Sequence, residues 1–344
     1  MDQRRIAVVT GASGGIGRAT AVAFAEHGFD VALLARGGAG LEGAAKDVEN
    51  AGQGALVCPT DVADVDQVDA AASRVEEELG PITVWVNDAM TTVFSRFEDI
   101  EPEEFKRATE VTFLGQVWGT RAALARMRPR DRGTIVNVGS ALAYIGIPLQ
   151  SPYCAAKFAC RGFFESLRAE LIHEGSNVRL SMVHMPAINT PQFDWCKTKL
   201  DRRPMPVPPI YQPEVAARFV IEAALNGRRA KIVGSWNKLL VAAAKVAPGL
   251  GNQFAALGAW ESQLTERKTS HDDPENLWQP ADDRIDHGAR GRFDAQAGGF
   301  LEPSFLKTLP RTAKKFGRAA RRTVREKFRR DRRATAAGVD VYGR

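Results

Sequence analysis

The segment SPYCAAK, residues 151–157, places a phenol and an ammonium four positions apart, at Tyr153 and Lys157. On a helix that spacing puts both side chains on one face, close enough to interact. A free tyrosine has a pKa of about 10 and is a poor acid or base at neutral pH. A nearby cation favours the phenolate, which brings the phenol into the range where proton transfer is useful. A surface tyrosine and lysine that are merely neighbours would read the same way on this stretch alone, so the rest of the chain has to decide.

A second stretch with chemistry is VVTGASGGIGRAT, which follows an apolar run directly and opens a helical pattern. Gly11, Gly15 and Gly17, with Ser13 and Ile16 between them, stand where backbone must turn tightly and approach a ligand. The helix N-terminus that follows offers unpaired N–H groups and a positive dipole end to phosphate. Strand, glycine turn and helix in that order point to a dinucleotide. The end of the second apolar run reads Ala35-Arg36, with no carboxylate to accept ribose hydroxyls and a guanidinium suited to phosphate. That pair favours NADP over NAD, unless Arg36 is only a solvated charge leading the next helix. Asp61 and Val62 in PTDV follow the third run, where a carboxylate can meet the adenine ring.

These residues need a scaffold that brings the ends of several strands together. RIAVVT, DVALLAR, GALVCPTD, ITVWVND, GTIVNVGS and NVRLSMVHM are short and nearly continuous in apolar residues, which suits strands buried on both faces. Helical patterns separate them. The expectation is an α/β fold with a doubly wound parallel sheet and helices on both faces. After AKIVGSW the alternation stops. We expect a catalytic domain over 1–235, an irregular extension over 236–306 and a basic tail over 307–344. The next helix after the proline cluster RRPMPVPPIYQP should begin near Pro213-Glu214.

Glycine turn, Asp61, Ser140 and Tyr153-x-x-x-Lys157 together resemble the short-chain dehydrogenase/reductase family, over roughly residues 4–235. The resemblance implies a Rossmann-type fold, a nicotinamide cofactor, a homo-oligomer and hydride transfer between a carbonyl and an alcohol. By position it makes Tyr153 the acid/base and gives Ser140 a hydrogen bond to the substrate oxygen. Lys157 then binds the nicotinamide ribose and lowers the tyrosine pKa. Asn87, Pro186 and Thr190 fall at positions that border the cofactor, Thr190 by the nicotinamide carboxamide. Three departures stand out. The family's paired-asparagine motif after the fourth strand is NDAM here, with Asp88 and Met90. Thr112 in EVTFLG stands for an asparagine that shapes its helix so that a backbone carbonyl holds a water touching the lysine. Threonine can bond back to its own helix and bend it, so the expectation is a weakened or rebuilt proton relay. The usual proline–glycine is Pro186-Ala187, a mild change.

Leu142, Ala143, Tyr144, Ile145 and Ile147, with Phe193 and Trp195 from NTPQFDWCKTKL, either line an apolar substrate pocket or pack the loop. An apolar pocket suits a hydrophobic carbonyl or alcohol. The histidines, His184 among them, show no ligand spacing, and no metal is expected. Cys58, Cys154, Cys160 and Cys196 lack metal spacing and read as reduced, packed thiols. The start MDQRRIAVVT does not resemble a secretory signal, and the expected location is cytoplasmic, peripheral to a membrane if the tail acts there.

The net charge of +6 is unevenly spread: residues 311–333 hold twelve Lys/Arg against Glu326 and Asp331, so the remainder is acidic. In that run Phe316, Ala320, Val324 and Phe328 recur every four residues. A helix there would carry a narrow apolar stripe on a basic surface, which fits an anionic membrane surface. A solvated charge run, or docking onto the acidic remainder, fits as well. Nucleic-acid binding is disfavoured, because the run lacks interleaved stacking aromatics beyond Phe316 and Phe328. The leading function is an NADP(H)-dependent oxidoreductase. A catalytically weak dinucleotide-binding sensor or scaffold is the alternative that Thr112 and Asp88 raise.

Overall fold

The computed structural model describes residues 4–227, 230–246 and 258–298. The basic run and the stripe expected within 307–344 lie outside the described residues.

The apolar runs form the expected strands. They are β1 (Arg5–Thr10), β2 (Phe29–Ala35), β3 (Ala55–Pro59), β4 (Ile82–Asn87), β5 (Thr134–Ser140), β6 (Arg179–Met185) and β7 (Ala230–Ile232). They make one seven-stranded sheet in the order β7-β6-β5-β4-β1-β2-β3. Every neighbouring pair is parallel. Such strands need both faces covered, because each has an apolar row on either side. Helices α1 (Gly15–Glu26), α2 (Gly38–Asn50) and α7 (Pro213–Asn226) bury one face, around Phe24, Leu41, Val48 and Val220. Helices α3 (Val65–Glu78), α5 (Gly115–Met127) and α6 (Ser151–His173) bury the other, around Val75, Met127 and Phe164. Each fully buried side chain of that size contributes about 1.5–3 kcal/mol, so two such layers dominate the folding energy.

The strand order reverses between β1 and β4. In an open α/β sheet the crevice beyond the carboxyl ends at that point is the ligand site. The turn after β1, the end of β2, the turns after β3 and β4, and the end of β5 all open there. Helix α4 (Pro102–Thr109) runs into α5 through one wider π turn at Glu110–Leu114, which carries Thr112.

The extension folds back onto this crevice. Helix α8 (Ser235–Val246) begins just after β7. Residues 264–268 pair antiparallel with 202–204, and residues 297–298 pair parallel with 210–211. Between these two anchors the chain leaves the substrate side, crosses the mouth of the crevice and returns. Residues 269–296 therefore form a strap over the site, where the sequence pattern showed only loops. Among the described residues no helix is long and apolar enough to cross a membrane.

Candidate active site

The catalytic candidates sit together because α6 starts beside the end of β5. Pro152 occupies the first turn of α6, where a missing N–H costs nothing. Tyr153 follows it directly and shares a face with Lys157 one turn on, with the Lys157 ammonium 5.6 Å from the centre of the Tyr153 ring. Lys157 is 2% exposed and donates a 2.9 Å hydrogen bond to the Val138 carbonyl of β5. The Gln116 amide donates to the same carbonyl at 2.9 Å. The Ser140 side chain faces the Tyr153 hydroxyl and favours its ionised form. Ser140 Oγ also accepts the Leu142 N–H at 3.1 Å, which fixes its direction. Burial raises the Tyr153 pKa, and Lys157 and Ser140 pull against it without overcoming it. The lowering expected from lysine is therefore present as a component but is outweighed in the protein alone.

Behind Ser140 lies a histidine that the spacing of the histidines set aside. His184 is 1% exposed, with Nδ1 3.2 Å from the Ser140 carbonyl and Nε2 3.2 Å from the Tyr144 hydroxyl. Burial holds its pKa down to about 4, so the ring is neutral and its two nitrogens divide donor and acceptor roles. Tyr144 thus turns towards His184 rather than into the pocket, and Ala143 is fully buried. A lone histidine in the otherwise apolar run NVRLSMVHM was the only available signal.

A cleft of about 840 Å³ runs past these groups. Its walls include Gly11, Ser13, Gly15 and Ile16 at one end and Ser140, Tyr153 and Lys157 at the other. Arg36, Asp61, Val62, Pro186 and Thr190 also line it. Gly11 adopts φ +70°, and a Cβ there would come within 2.9 Å of the Ala89 backbone. Helix α1 has no cap from its N-cap residue and no acidic residue in its first turn, and apart from the Gly17 N–H, which faces Asp88, its first N–H groups are left for an anion. These features fit a dinucleotide: phosphates at the uncapped helix, adenosine near Asp61 and Val62, nicotinamide near Lys157 and Thr190.

Three candidates do not line the cleft. Asn87 is 1% exposed and turned inward, accepting from Trp85 Nε1 at 2.8 Å and donating to Asn137 at 2.8 Å and Thr120 at 3.1 Å. Its side chain ties β4, β5 and α5 together as a buried brace. Gly17 packs its Cα against the Gly11 carbonyl, so it lets α1 approach the glycine turn after β1. Thr112 is fully buried. Its hydroxyl does not bond back to its own helix, as was expected. It accepts the Thr91 N–H at 3.0 Å and donates to the Thr91 carbonyl at 2.7 Å, pinning the turn after β4. The Thr112 carbonyl accepts from Cys160 Sγ at 3.4 Å.

Asp88 and Met90 do line the cleft. Burial raises the Asp88 pKa to about 7, against the pull of Lys157 and the Gly17 N–H. The apolar end of the cleft takes Leu142, Ile145, Ile147 and Phe193 from the expected set. It also takes Met205, Val207, Leu239 and Leu240, which sequence reading missed because they come from the proline segment and from α8. Trp195 reaches past the substrate end and lies against Gly14. Among the described residues no cluster of His, Cys, Asp or Glu could hold a metal ion.

Comparison with known proteins agrees with this geometry. The model of the short chain dehydrogenase family matches residues 5–199. The chain belongs to that family. It is 32% identical over 268 residues to the uncharacterized oxidoreductase YxnA of Bacillus subtilis, covering 77% of this chain and 75% of the relative. It is 36% identical over 228 residues to 3-dehydrosphinganine reductase of Danio rerio, covering 64% of this chain and 68% of the relative. An alcohol dehydrogenase from Thermococcus sibiricus, solved with 5-hydroxy-NADP, superposes with a TM-score of 0.58 at 26% identity, over 67% of this chain and 95% of that one. The chain is therefore an NAD(P)-dependent dehydrogenase/reductase with a nicotinamide dinucleotide as cofactor.

Proposed function

We propose that the protein interconverts a hydrophobic ketone or aldehyde and its alcohol, with NADP(H) as the favoured cofactor and Tyr153 as the acid/base. The observation that carries this is the facing Ser140–Tyr153 pair, with Lys157 beneath it, at the junction of the polar and apolar halves of one cleft. The bound dinucleotide supplies the hydride. In the reducing direction the Tyr153 hydroxyl donates its proton to the carbonyl oxygen, and Ser140 Oγ donates a hydrogen bond to the same oxygen. Lys157 stabilises the phenolate that remains and holds the ribose. His184 and the Leu142 N–H keep Ser140 aimed. The apolar lining excludes water and selects a hydrophobic carbon chain.

Ala35 and Arg36 support NADP(H): β2 ends without a carboxylate, and a guanidinium lines the cleft. The names of the relatives supply substrate candidates, a long-chain 3-keto base from the reductases of Danio rerio and Bos taurus and a 17-ketosteroid from a human relative. By family likeness the working unit is a homo-oligomer, and the basic tail is read as a contact to an anionic membrane surface from the cytoplasmic side. The test is NADPH oxidation over a panel of hydrophobic ketones and aldehydes that includes both candidates. Turnover of one of them supports the reading. Tight NADPH binding with no turnover across the panel favours a dinucleotide-binding sensor.

A further inference from the structure

The strap closes over the adenosine half of the cleft in an orderly way. Arg36 donates from Nη1 to the Trp278 carbonyl at 3.0 Å and from Nη2 to the Asn276 carbonyl at 2.5 Å. Arg107 binds the Leu277 carbonyl at 3.2 Å while it pairs with Asp61. Arg18 holds Asp286 and Asp47 together. Helix α2 begins at Gly37-Gly38 and has no side-chain cap of its own. The strap caps it instead. The Ala39 N–H donates to the Asp283 carbonyl at 3.1 Å, the Gly40 N–H to the Asp282 carbonyl at 3.0 Å and the Gly38 N–H to Asp283 Oδ1 at 3.3 Å.

These bonds use the backbone of both aspartates and the side chain of Asp283. The Asp282 side chain is left over. It is 6% exposed, lines the cleft and takes no hydrogen bond from the described residues. A Cβ at Gly37 or at Gly40 would collide with its carboxylate, so two glycines make room for it. Ser13 of the glycine turn lies beside the same spot, 2.9 Å from where a Gly40 Cβ would be. Arg36 is the charge neighbour of Asp282 but gives its own hydrogen bonds to strap carbonyls, so the Asp282 oxygens keep hydrogen-bonding capacity that a ligand hydroxyl can use. Its position is the space between the glycine turn and the start of α2, where a carboxylate from the end of β2 would meet the adenosine ribose. That carboxylate is missing from Ala35-Arg36.

We propose that Asp282, carried in on the strap, reads the adenosine ribose of the cofactor. It accepts hydrogen bonds from the free hydroxyls of NAD(H) and opposes the 2′-phosphate of NADP(H), while Arg36 attracts that phosphate. Discrimination is then set by two residues of opposite sign, 246 positions apart. NADP(H) gains the full benefit of Arg36 only when the Asp282 charge is removed or withdrawn. The proposal rests on the dinucleotide site described above.

The test is equilibrium titration of the full chain with NADH and with NADPH, followed by cofactor fluorescence, with no substrate present. Asp282→Asn keeps the shape and removes the charge. NADPH should bind several-fold tighter and NADH weaker, with the ratio of the two constants moving by about 10-fold or more, the scale of one charge-assisted hydrogen bond. Asp282→Ser, a smaller change in a site bounded by glycines, should move the ratio the same way and serves if the first variant folds poorly. A ratio within twofold of the unmutated protein in a folded variant overturns the proposal while the cofactor site stands. Failure of the unmutated chain to bind either dinucleotide overturns the cofactor site and this proposal together.

Discussion

The Lys157 ammonium lies 5.6 Å from the Tyr153 ring centre and spends a hydrogen bond on the Val138 carbonyl. That bond anchors the lysine to the end of β5, with the cation beneath the phenol. In the protein alone, burial leaves the phenol pKa above its ordinary value. Lys157→Met should remove the main opposing influence and push it higher still. In a pH–rate profile of alcohol oxidation, the rise in rate that follows tyrosine ionisation should move to higher pH, with kcat at neutral pH lower by about 10-fold or more. An unchanged profile would show that the lysine does not act on the phenol.

Arg36 provides a second test. Arg36→Asp reverses the charge at the end of β2 and should weaken NADPH binding by about 10-fold or more, with a much smaller effect on NADH. Because Arg36 also holds the strap through the carbonyls of Asn276 and Trp278, protease sensitivity of residues 269–296 should rise in the variant. Equal losses for the two cofactors would mean that Arg36 acts only through the strap.

Thr112 should matter for stability more than for chemistry. Its hydroxyl makes two buried hydrogen bonds to Thr91. Thr112→Val preserves shape and strands the Thr91 N–H and carbonyl, which should cost about 1–3 kcal/mol in denaturant unfolding. A loss of activity with unchanged stability would instead place the threonine in a rebuilt relay.

Two buried groups give opposite pH signatures. His184 has its folded pKa depressed to about 4, so its contribution to stability is present above its unfolded pKa, about 6.5, and is lost as pH falls through about 4. Asp88 has its folded pKa raised to about 7, so its contribution is present below the ordinary carboxylate range and is lost as pH rises through about 7. Melting temperatures of the cofactor-free protein should fall less steeply below pH 6.5 in His184→Gln. Between pH 5 and 8 they should fall less steeply in Asp88→Asn than in the unmutated chain. Parallel curves for a variant and the unmutated protein would remove that group from the account.

The parallel sheet was legible because each strand is a short apolar run between helical patterns, and the glycine turn and Tyr153-x-x-x-Lys157 are local signals. What escaped depends on contacts between distant segments. Asn87 stands beside the cleft in sequence but turns inward to Asn137 and Thr120, a choice no local pattern records. The strap reads as turns because its partners are Arg36, Arg107 and helix α2, more than 150 residues away in each case. Met205 and Leu240 reach the pocket through a proline segment and a helix whose placement the alternation of strands does not determine.

The basic run 311–333 motivates a prediction of its own, from sequence, since it lies outside the described residues. The full chain should co-sediment with anionic vesicles at low salt and be released by salt, and a chain ending near Leu306 should not bind. Equal sedimentation of the two would remove the membrane reading.

The central claim is that Tyr153 transfers the proton. The most direct measurement compares Tyr153→Phe with the unmutated protein, using a hydrophobic ketone that the unmutated protein reduces. The change deletes only the phenolic oxygen. NADPH affinity should be retained within a fewfold, while kcat falls by about 10² or more, the scale of general acid catalysis. Normal turnover by a folded Tyr153→Phe variant would contradict the account.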